Sequence, residues 1–362
     1  MVRIRAITLQ PFRNFDKYHL SLGADRVLIV GRNGHGKSNI LEAISYLSIG
    51  KSVRGAKDQQ VVPHGGQHFD IRALCNDGRR DCHLRIFYAQ EKGKKAFCNE
   101  TPLNRVSDVL GIFRTVHFSP EDVSLVLRFP AQRRRVLDIL ISQSSAPYLR
   151  DLQRYRRVSA QRNHLLRTSK RARQVPDQGL MQAWDTQLAQ LGAKIRFCRL
   201  EALRELSGPF VEYYGRFSPQ VEEASISYKG PKCRTEEDLR VELLAELETR
   251  KVQEQRQGHT LCGPHRDDLA FFLNGQPADA FASEGQLKTI LIAWKMAEVR
   301  FLEKQNAAQP VLLLDDVLSE LDERRGYTLL ELINEFDQVL LTSPRELGEP
   351  TPGRFEKISL PD

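Results

Sequence analysis

Apolar and polar side chains alternate one by one through Arg3-Ile4-Arg5-Ala6-Ile7-Thr8-Leu9, the two-residue period of a strand with one buried face. A second such run at 18–22 and the compact apolar stretch Val27-Leu28-Ile29-Val30 predict two more strands. A glycine-rich turn follows. From Asn39 onward the apolar positions Ile40, Leu41, Ile44, Leu47 and Ile49 fall near helical spacing, so the turn leads from a strand into a helix. Strand patterns return at Asp70 to Leu74, His83 to Ala89 and Thr115 to Phe118, and the segment around Pro120 closes this block.

From about Ala131 to Leu247 the sequence turns charged and mostly helical. Tyr148, Leu152, Tyr155 and Ser159 share one helical face, and Trp184, Leu188, Leu191 and Ile195 share another. Strand signals resume at Leu269 to Leu273, where Asn274-Gly275 predicts a type I′ hairpin turn, and again at Val311 to Leu314. The expected organisation is a split α/β lobe made of residues 1–130 and 251–362, with an inserted, mostly helical second lobe at 131–250. A chain of 362 residues is long enough for two folding units.

Composition narrows the class without naming a partner. Forty-one per cent hydrophobic residues and 28% charged residues describe a globular chain. No stretch reaches the roughly 18 apolar residues that a membrane crossing requires, and the N-terminus lacks a signal-peptide core, so a cytoplasmic location is expected. The six cysteines (Cys75, Cys82, Cys98, Cys198, Cys233, Cys262) contain no C-x-x-C pair and are expected to be reduced thiols. The net charge of +8 is concentrated. Between Arg150 and Arg173 stand nine basic residues against one acid, Asp151, so that segment alone equals the charge of the whole chain. Its cations have almost no i,i+4 acidic partners, which points to a polyphosphate ligand rather than a solvated helical face. Arg150, Arg154, Arg156, Arg157 and Arg162 are the candidate contacts to DNA. With no base-reading motif in sight, the contacts expected are to the backbone of single- or double-stranded DNA, with little sequence preference.

The chemistry begins at the turn. Gly31-Arg32-Asn33-Gly34-His35-Gly36-Lys37-Ser38 matches G-x-x-x-x-G-K-[ST] in its required strand–turn–helix setting. Glycines there let backbone N–H groups curl around phosphate oxygens, Lys37 places a charge on the β- and γ-phosphates, and the Ser38 hydroxyl is a Mg²⁺ ligand. Val311-Leu312-Leu313-Leu314-Asp315-Asp316 is an apolar strand ending in two carboxylates. Asp315 is the candidate metal partner and Asp316 the candidate carboxylate that orients the attacking water, with Lys37 as the other catalytic residue. Ser283-Glu284-Gly285-Gln286, directly before the helix through Leu287, Ile290, Leu291, Trp294 and Ala297, is an N-cap with free backbone donors. That makes Ser283, Gly285 and Gln286 further phosphate-binding candidates.

The order of these three elements resembles the ABC/SMC superfamily. The guanine-reading Asn-Lys-x-Asp motif is absent from the chain, and nucleotide kinases carry no signature helix ahead of a late Walker B strand. Further segments resemble the RecF family across nearly the whole chain: Phe12-Arg13-Asn14-Phe15, Asn39-Ile40-Leu41-Glu42-Ala43-Ile44, Phe118-Ser119-Pro120-Glu121-Asp122, Arg133-Arg134-Arg135-Val136-Leu137-Asp138, Gln161-Arg162-Asn163 and Gly263-Pro264-His265-Arg266-Asp267-Asp268-Leu269. Glu284 departs from the usual signature loop, and Thr342 stands where a transporter ATPase usually has its switch histidine. His35 and His265 are read as supporting residues.

The resemblance implies a split ABC/SMC-type lobe, ATP and Mg²⁺ as cofactors, and a homodimer in which the signature serine of one subunit completes the other's γ-phosphate site. It implies a weak, DNA-stimulated ATPase in recombinational repair that closes on DNA at a gap or single-strand/duplex junction, supports recombinase loading and acts with RecR and RecO. Two other readings of the residues stay open at this stage: a clamp with negligible turnover, and a transporter-type or signalling ATPase that never meets DNA.

Overall fold

A computed structural model describes residues 2–77, 80–122, 129–218, 222–233, 235–346 and 353–360. The chain forms two compact units. The first contains Met1–Ser124, Pro209–Glu222 and Ala282–Asp362; the second contains Leu125–Gly208 and Glu223–Phe281.

The first unit is built on two sheets. Strands β1 (Val2–Leu9), β2 (Tyr18–Ser21), β4 (His68–Asp77), β5 (Asp81–Ala89), β6 (Gly93–Cys98) and β7 (Thr101–Pro102) form an antiparallel sheet in the order β2-β1-β4-β5-β6-β7. Its alternation is that of a sheet buried on one face: Val2, Ile4, Ile7 and Leu9 are fully buried and Arg5 is exposed. Strands β3 (Arg26–Val30), β8 (Thr115–Phe118), β12 (Val311–Leu314), β13 (Val339–Ser343) and β14 (Glu356–Ser359) form a parallel sheet in the order β14-β3-β13-β12-β8. All four residues of β12 are buried, as expected for a central parallel strand covered on both faces.

Helix α1 (Lys37–Ile49) contributes Ile40, Leu41, Ala43, Ile44, Tyr46 and Leu47 to one core shared by both sheets. It is buried nearly all round, which is why its apolar pattern is broader than a stripe. The one acid within it, Glu42, is fully buried. Arg13 neutralises it through two bonds of 2.7 and 3.0 Å, and Ser52 Oγ donates to it at 2.5 Å. The strand–turn–helix order expected around residue 31 is present, with the helix starting at Lys37 rather than Asn39.

The second unit holds the helices Pro130–Ser144, Ala146–Ala172 and Glu236–Gln257 and most of Gln178–Phe217, together with a small sheet of β9 (Ala224–Lys229), β10 (Asp268–Leu273) and β11 (Gln276–Pro277) in the order β11-β10-β9. Here the structure differs from the expected boundaries. Strand β9 (Ala224–Lys229) pairs antiparallel with β10 (Asp268–Leu273) from Asp268↔Lys229 to Leu273↔Ala224, and this pairing ties residues 251–281 to the helical unit. The return to the first unit therefore falls near Ala282, not residue 251. Pairing between segments some 40 residues apart leaves no local periodicity to read, so a strand within the charged region was not predicted. The hairpin turn was. Asn274 and Gly275 have φ of 50° and 76° and join β10 to β11 (Gln276–Pro277).

Candidate nucleotide site

The loop between β3 and α1 is shaped by what lies against it. Gly36 has φ of 96°, and a Cβ there would come within 2.6 Å of the Phe15 ring and 2.8 Å of the Asn14 side-chain amide. The Phe12–Phe15 segment thus braces the turn, and Asn14 Oδ1 accepts a bond from Asn39 Nδ2 at 2.8 Å. Lys37 is buried, its Nζ donating to the carbonyls of Gly31 (2.5 Å) and Arg32 (3.0 Å). A cleft of about 320 Å³ is lined by Asn33, Gly34, Gly36, Lys37, Ser38, Arg54 and Asp316 among others. His35 also sits in the loop, where its Nδ1 is buried with no hydrogen-bond partner among the described residues.

The strand end reaches the same place. Ser38 Oγ donates to Asp315 Oδ1 at 2.8 Å, joining residues from the phosphate loop and the carboxylate strand. Thr342, at the end of β13, donates its hydroxyl to the same oxygen at 2.8 Å and accepts the backbone N–H of Asp316 at 2.9 Å. Asp316 adopts a left-handed backbone (φ 49°), which turns the chain sharply after Asp315. Its Oδ1 is buried with no hydrogen-bond partner among the described residues. Burial pushes its carboxyl above the ordinary carboxylate range, with Ser319 and Lys37 pulling the other way.

Two residues that the motif reading did not assign join the site. Arg54 Nη2 lies 3.3 Å from Asp315 Oδ2, and its other amino group lies 3.7 Å from Glu42. The signal in the sequence was only a basic residue a few positions beyond α1. His117, on β8, has a buried Nε2 with no hydrogen-bond partner among the described residues, and burial drives its imidazole below the ordinary pKa against the pull of Asp122 and Asp315.

The signature segment forms the expected capped helix start. Ser283 Oγ accepts the N–H of Gln286 at 3.3 Å, and Gln286 Oε1 accepts the N–H of Ser283 at 2.7 Å, a reciprocal capping box on the helix Glu284–Asn306. Ser283 is exposed, and none of Ser283, Gly285 and Gln286 lines the phosphate-loop cleft of its own chain. Glu284 does not stand alone in the loop: Lys288 pairs with it at 3.0 Å and with Glu320 at 2.9 Å.

Of the five arginines expected to meet DNA, Arg150, Arg154, Arg156 and Arg157 are exposed. Arg162 is not. It is fully buried, with Nε 2.6 Å from Asp185, Nη2 2.7 Å from Glu254 and Nη1 donating to Thr260 Oγ1 at 2.9 Å. Drawing it out to a phosphate would strand the fully buried Glu254 and unpair the half-buried Asp185, so Arg162 is a structural ion-pair centre and not a DNA contact.

Residues 3–347 match the family described as the RecF/RecN/SMC N-terminal domain. The chain is 40% identical over 319 residues to the DNA replication and repair protein RecF of Moorella thermoacetica, covering 87% of this chain and 83% of that one. It is 36% identical over 357 residues to RecF of Heliobacterium modesticaldum, covering 96% and 95%. A solved structure of the recombination mediator protein RecF-ATP superposes with a TM-score of 0.89 at 32% identity, covering 95% of this chain and 92% of that one. The Smc head domain of Pyrococcus furiosus shares the fold alone, at 16% identity and a TM-score of 0.55. The chain belongs to the RecF family of ABC/SMC-type, ATP-binding DNA replication and repair ATPases.

Proposed function

We propose that this chain is an ATP-gated DNA clamp of recombinational repair, in which Mg²⁺ accompanies ATP and a homodimer closes on DNA at a gap or single-strand/duplex junction. The observation that carries the reading is the contact between Ser38 and Asp315 beside the buried Oδ1 of Asp316, which has no partner among the described residues. Hydroxyl and carboxylate oxygens are the donors that Mg²⁺ prefers, so Ser38 and Asp315 fit the ion. Bound there with ATP, it would supply charge neutralisation at the β- and γ-phosphates.

The residues divide the remaining work. Gly31 to Ser38 wrap the phosphates, Lys37 exchanges its carbonyl bonds for phosphate oxygens, and Arg54 adds a second cation. Asp316, with its raised pKa and free Oδ1, orients water for attack. The exposed capping box at Ser283 has no task in its own chain's cleft, which supports its use on the nucleotide of a second copy. Exposed Arg150, Arg154, Arg156 and Arg157 hold DNA by its backbone. Slow, DNA-stimulated hydrolysis then reopens the dimer after recombinase loading, with RecR and RecO as partners by family resemblance and the cytoplasm as the setting. No helix among the described residues is long and apolar enough to cross a membrane.

Sedimentation of the chain with ATP, with ADP and with DNA plus ATP tests this. A dimer with ATP, a monomer with ADP and a DNA-bound dimer with both ligands are expected. A monomer throughout would end the clamp reading.

A further inference from the structure

Two segments take no part in the nucleotide site, Arg133–Asp138 and Gly263–Leu269, and the second unit brings them together. Arg133 grips Asp268 with bonds of 3.0 and 2.6 Å, and Arg134 Nη1 donates to the Asp267 carbonyl at 2.7 Å. Arg199 is buried, paired with Asp138 at 2.8 Å, and donates to the Pro264 carbonyl at 2.6 Å. Tyr155 Oη lies 2.7 Å from His265 Nδ1, and a Cβ at Gly263 (φ 109°) would lie 2.6 Å from that hydroxyl, so only glycine lets the loop approach.

These contacts border a pocket of about 170 Å³ whose polar lining is Arg134, Arg135, Arg156, Arg199, Asp138 and His265 together with Tyr155. Four guanidiniums face one carboxylate there, and that carboxylate already serves Arg199, the hydroxyl of Tyr148 (2.6 Å) and, more loosely at 3.7 Å, Arg156. His265 adds no charge at neutral pH, since burial pushes its pKa down to about 4. Burial, with a smaller push from Arg199, lowers the pKa of Arg134 against the pull of Asp268, Asp138 and Asp267.

The local sequence sharpens the imbalance. Arg133, Arg134 and Arg135 stand in the opening turns of the helix Pro130–Ser144, whose first turn has no acid and whose N-cap, Phe129, offers no side-chain bond. Cations at a helix N-terminus oppose its dipole; Asp268 offsets Arg133, while Arg134 and Arg135 line the pocket. A volume of about 170 Å³ suits a small anion such as a single phosphate group.

We infer that this pocket seats a backbone phosphate of duplex DNA, with Arg134, Arg135 and Arg156 as its forked donors. Guanidinium forks match phosphate oxygens two at a time, and Arg156 comes to the pocket from the helix Ala146–Ala172 beside Leu152 and Tyr155. The inference rests on the reading of the chain as a DNA clamp and moves the anchor from Arg162 to the convergence of two motifs.

The experiment measures duplex affinity against salt, with ATP, for the wild type, Arg134→Gln/Arg135→Gln, the corresponding double lysine variant and Arg135→Gln alone. The glutamine pair is expected to weaken binding to unrelated sequences alike and to flatten the log–log salt slope by about 0.9 for each lost contact. The lysine pair should recover part of the affinity, and ATP affinity should be unchanged. Arg134 also bonds a carbonyl, so the Arg135 variant tests the seat even where the pair unfolds. Wild-type affinity and slope in a folded Arg135→Gln protein would overturn the seat while leaving the clamp intact. A wild type that binds no DNA with ATP would overturn both.

Discussion

Ser38 and Asp315, 277 positions apart, share a 2.8 Å hydrogen bond, and the oxygen that accepts it also accepts the hydroxyl of Thr342. The phosphate loop, the carboxylate strand and β13 therefore meet at one atom, at the C-terminal edge of the parallel sheet where open α/β sheets bind their ligands.

Thr342→Val keeps the shape of the side chain but removes the hydroxyl that serves Asp315 and the Asp316 N–H. A buried donor loses its partner, so a stability loss of about 1–3 kcal/mol is expected, together with weaker ATP binding. Denaturant unfolding and nucleotide titration check the two effects. Unchanged values for both would show that Thr342 only fills space.

Asp316→Asn should bind ATP normally and accumulate the closed dimer while hydrolysing roughly 10²-fold more slowly or worse, the scale of a lost acid–base group. Asp315 keeps its bonds to Ser38 and Thr342 in this variant. Wild-type steady-state turnover would place the water-orienting role elsewhere.

Lys37→Met is expected to abolish ATP-dependent dimerisation, since the cation for the β- and γ-phosphates is gone. Ser283→Arg should bind ATP as a monomer and fail to pair with itself. Mixing the two variants tests action in trans, because each mixed dimer can assemble at most one complete site. Normal self-association of Ser283→Arg on ATP would remove the signature loop from the interface.

Arg162→Ala should destabilise the protein by about 3–5 kcal/mol, because Asp185 and Glu254 lose a cation that is itself wholly buried. Arg157→Glu, at an exposed position, should leave the unfolding temperature nearly unchanged and lower DNA affinity instead. Thermal unfolding followed by a DNA titration separates the two; a stable Arg162→Ala protein with weakened DNA binding would reverse the assignment.

His265 should make the protein acid-sensitive. Its folded pKa of about 4 lies below the ordinary 6.5, so the unfolded chain binds the proton first as pH falls, and stability is lost between those values. Between pH 7 and pH 5 this one group should cost about 2 kcal/mol. His265→Gln should show a correspondingly shallower decline in urea midpoint over that range, and an identical decline would mean that the imidazole does not titrate differently on folding.

The nucleotide chemistry was legible in the sequence because it is local. Gly31 to Ser38 carries its own geometry, the run Val311 to Leu314 is buried on both faces and so reads as a continuous apolar strand, and Ser283 with Gln286 is a cap set by spacing alone. Each depends on neighbours within a few residues. The insertion of a mostly helical segment was legible for the same reason, since composition and period both change there.

Long-range pairing decided what the sequence could not. The charge run named Arg162 alongside Arg150, Arg154, Arg156 and Arg157, yet only the packing of Asp185, Glu254 and Thr260 around it turns that arginine inward. Strand β9 was invisible until β10 supplied its partner, and with it the boundary of the second unit moved past residue 251. Thr342 and His117 joined the site because strands distant in sequence lie side by side in one sheet, and Arg54 because the segment after α1 brings it to Asp315. Periodicity and spacing report which residues share a face or a turn. Which carboxylate meets which guanidinium across a hundred residues or more is settled only when burial removes water as the alternative partner, and that is a property of the folded chain.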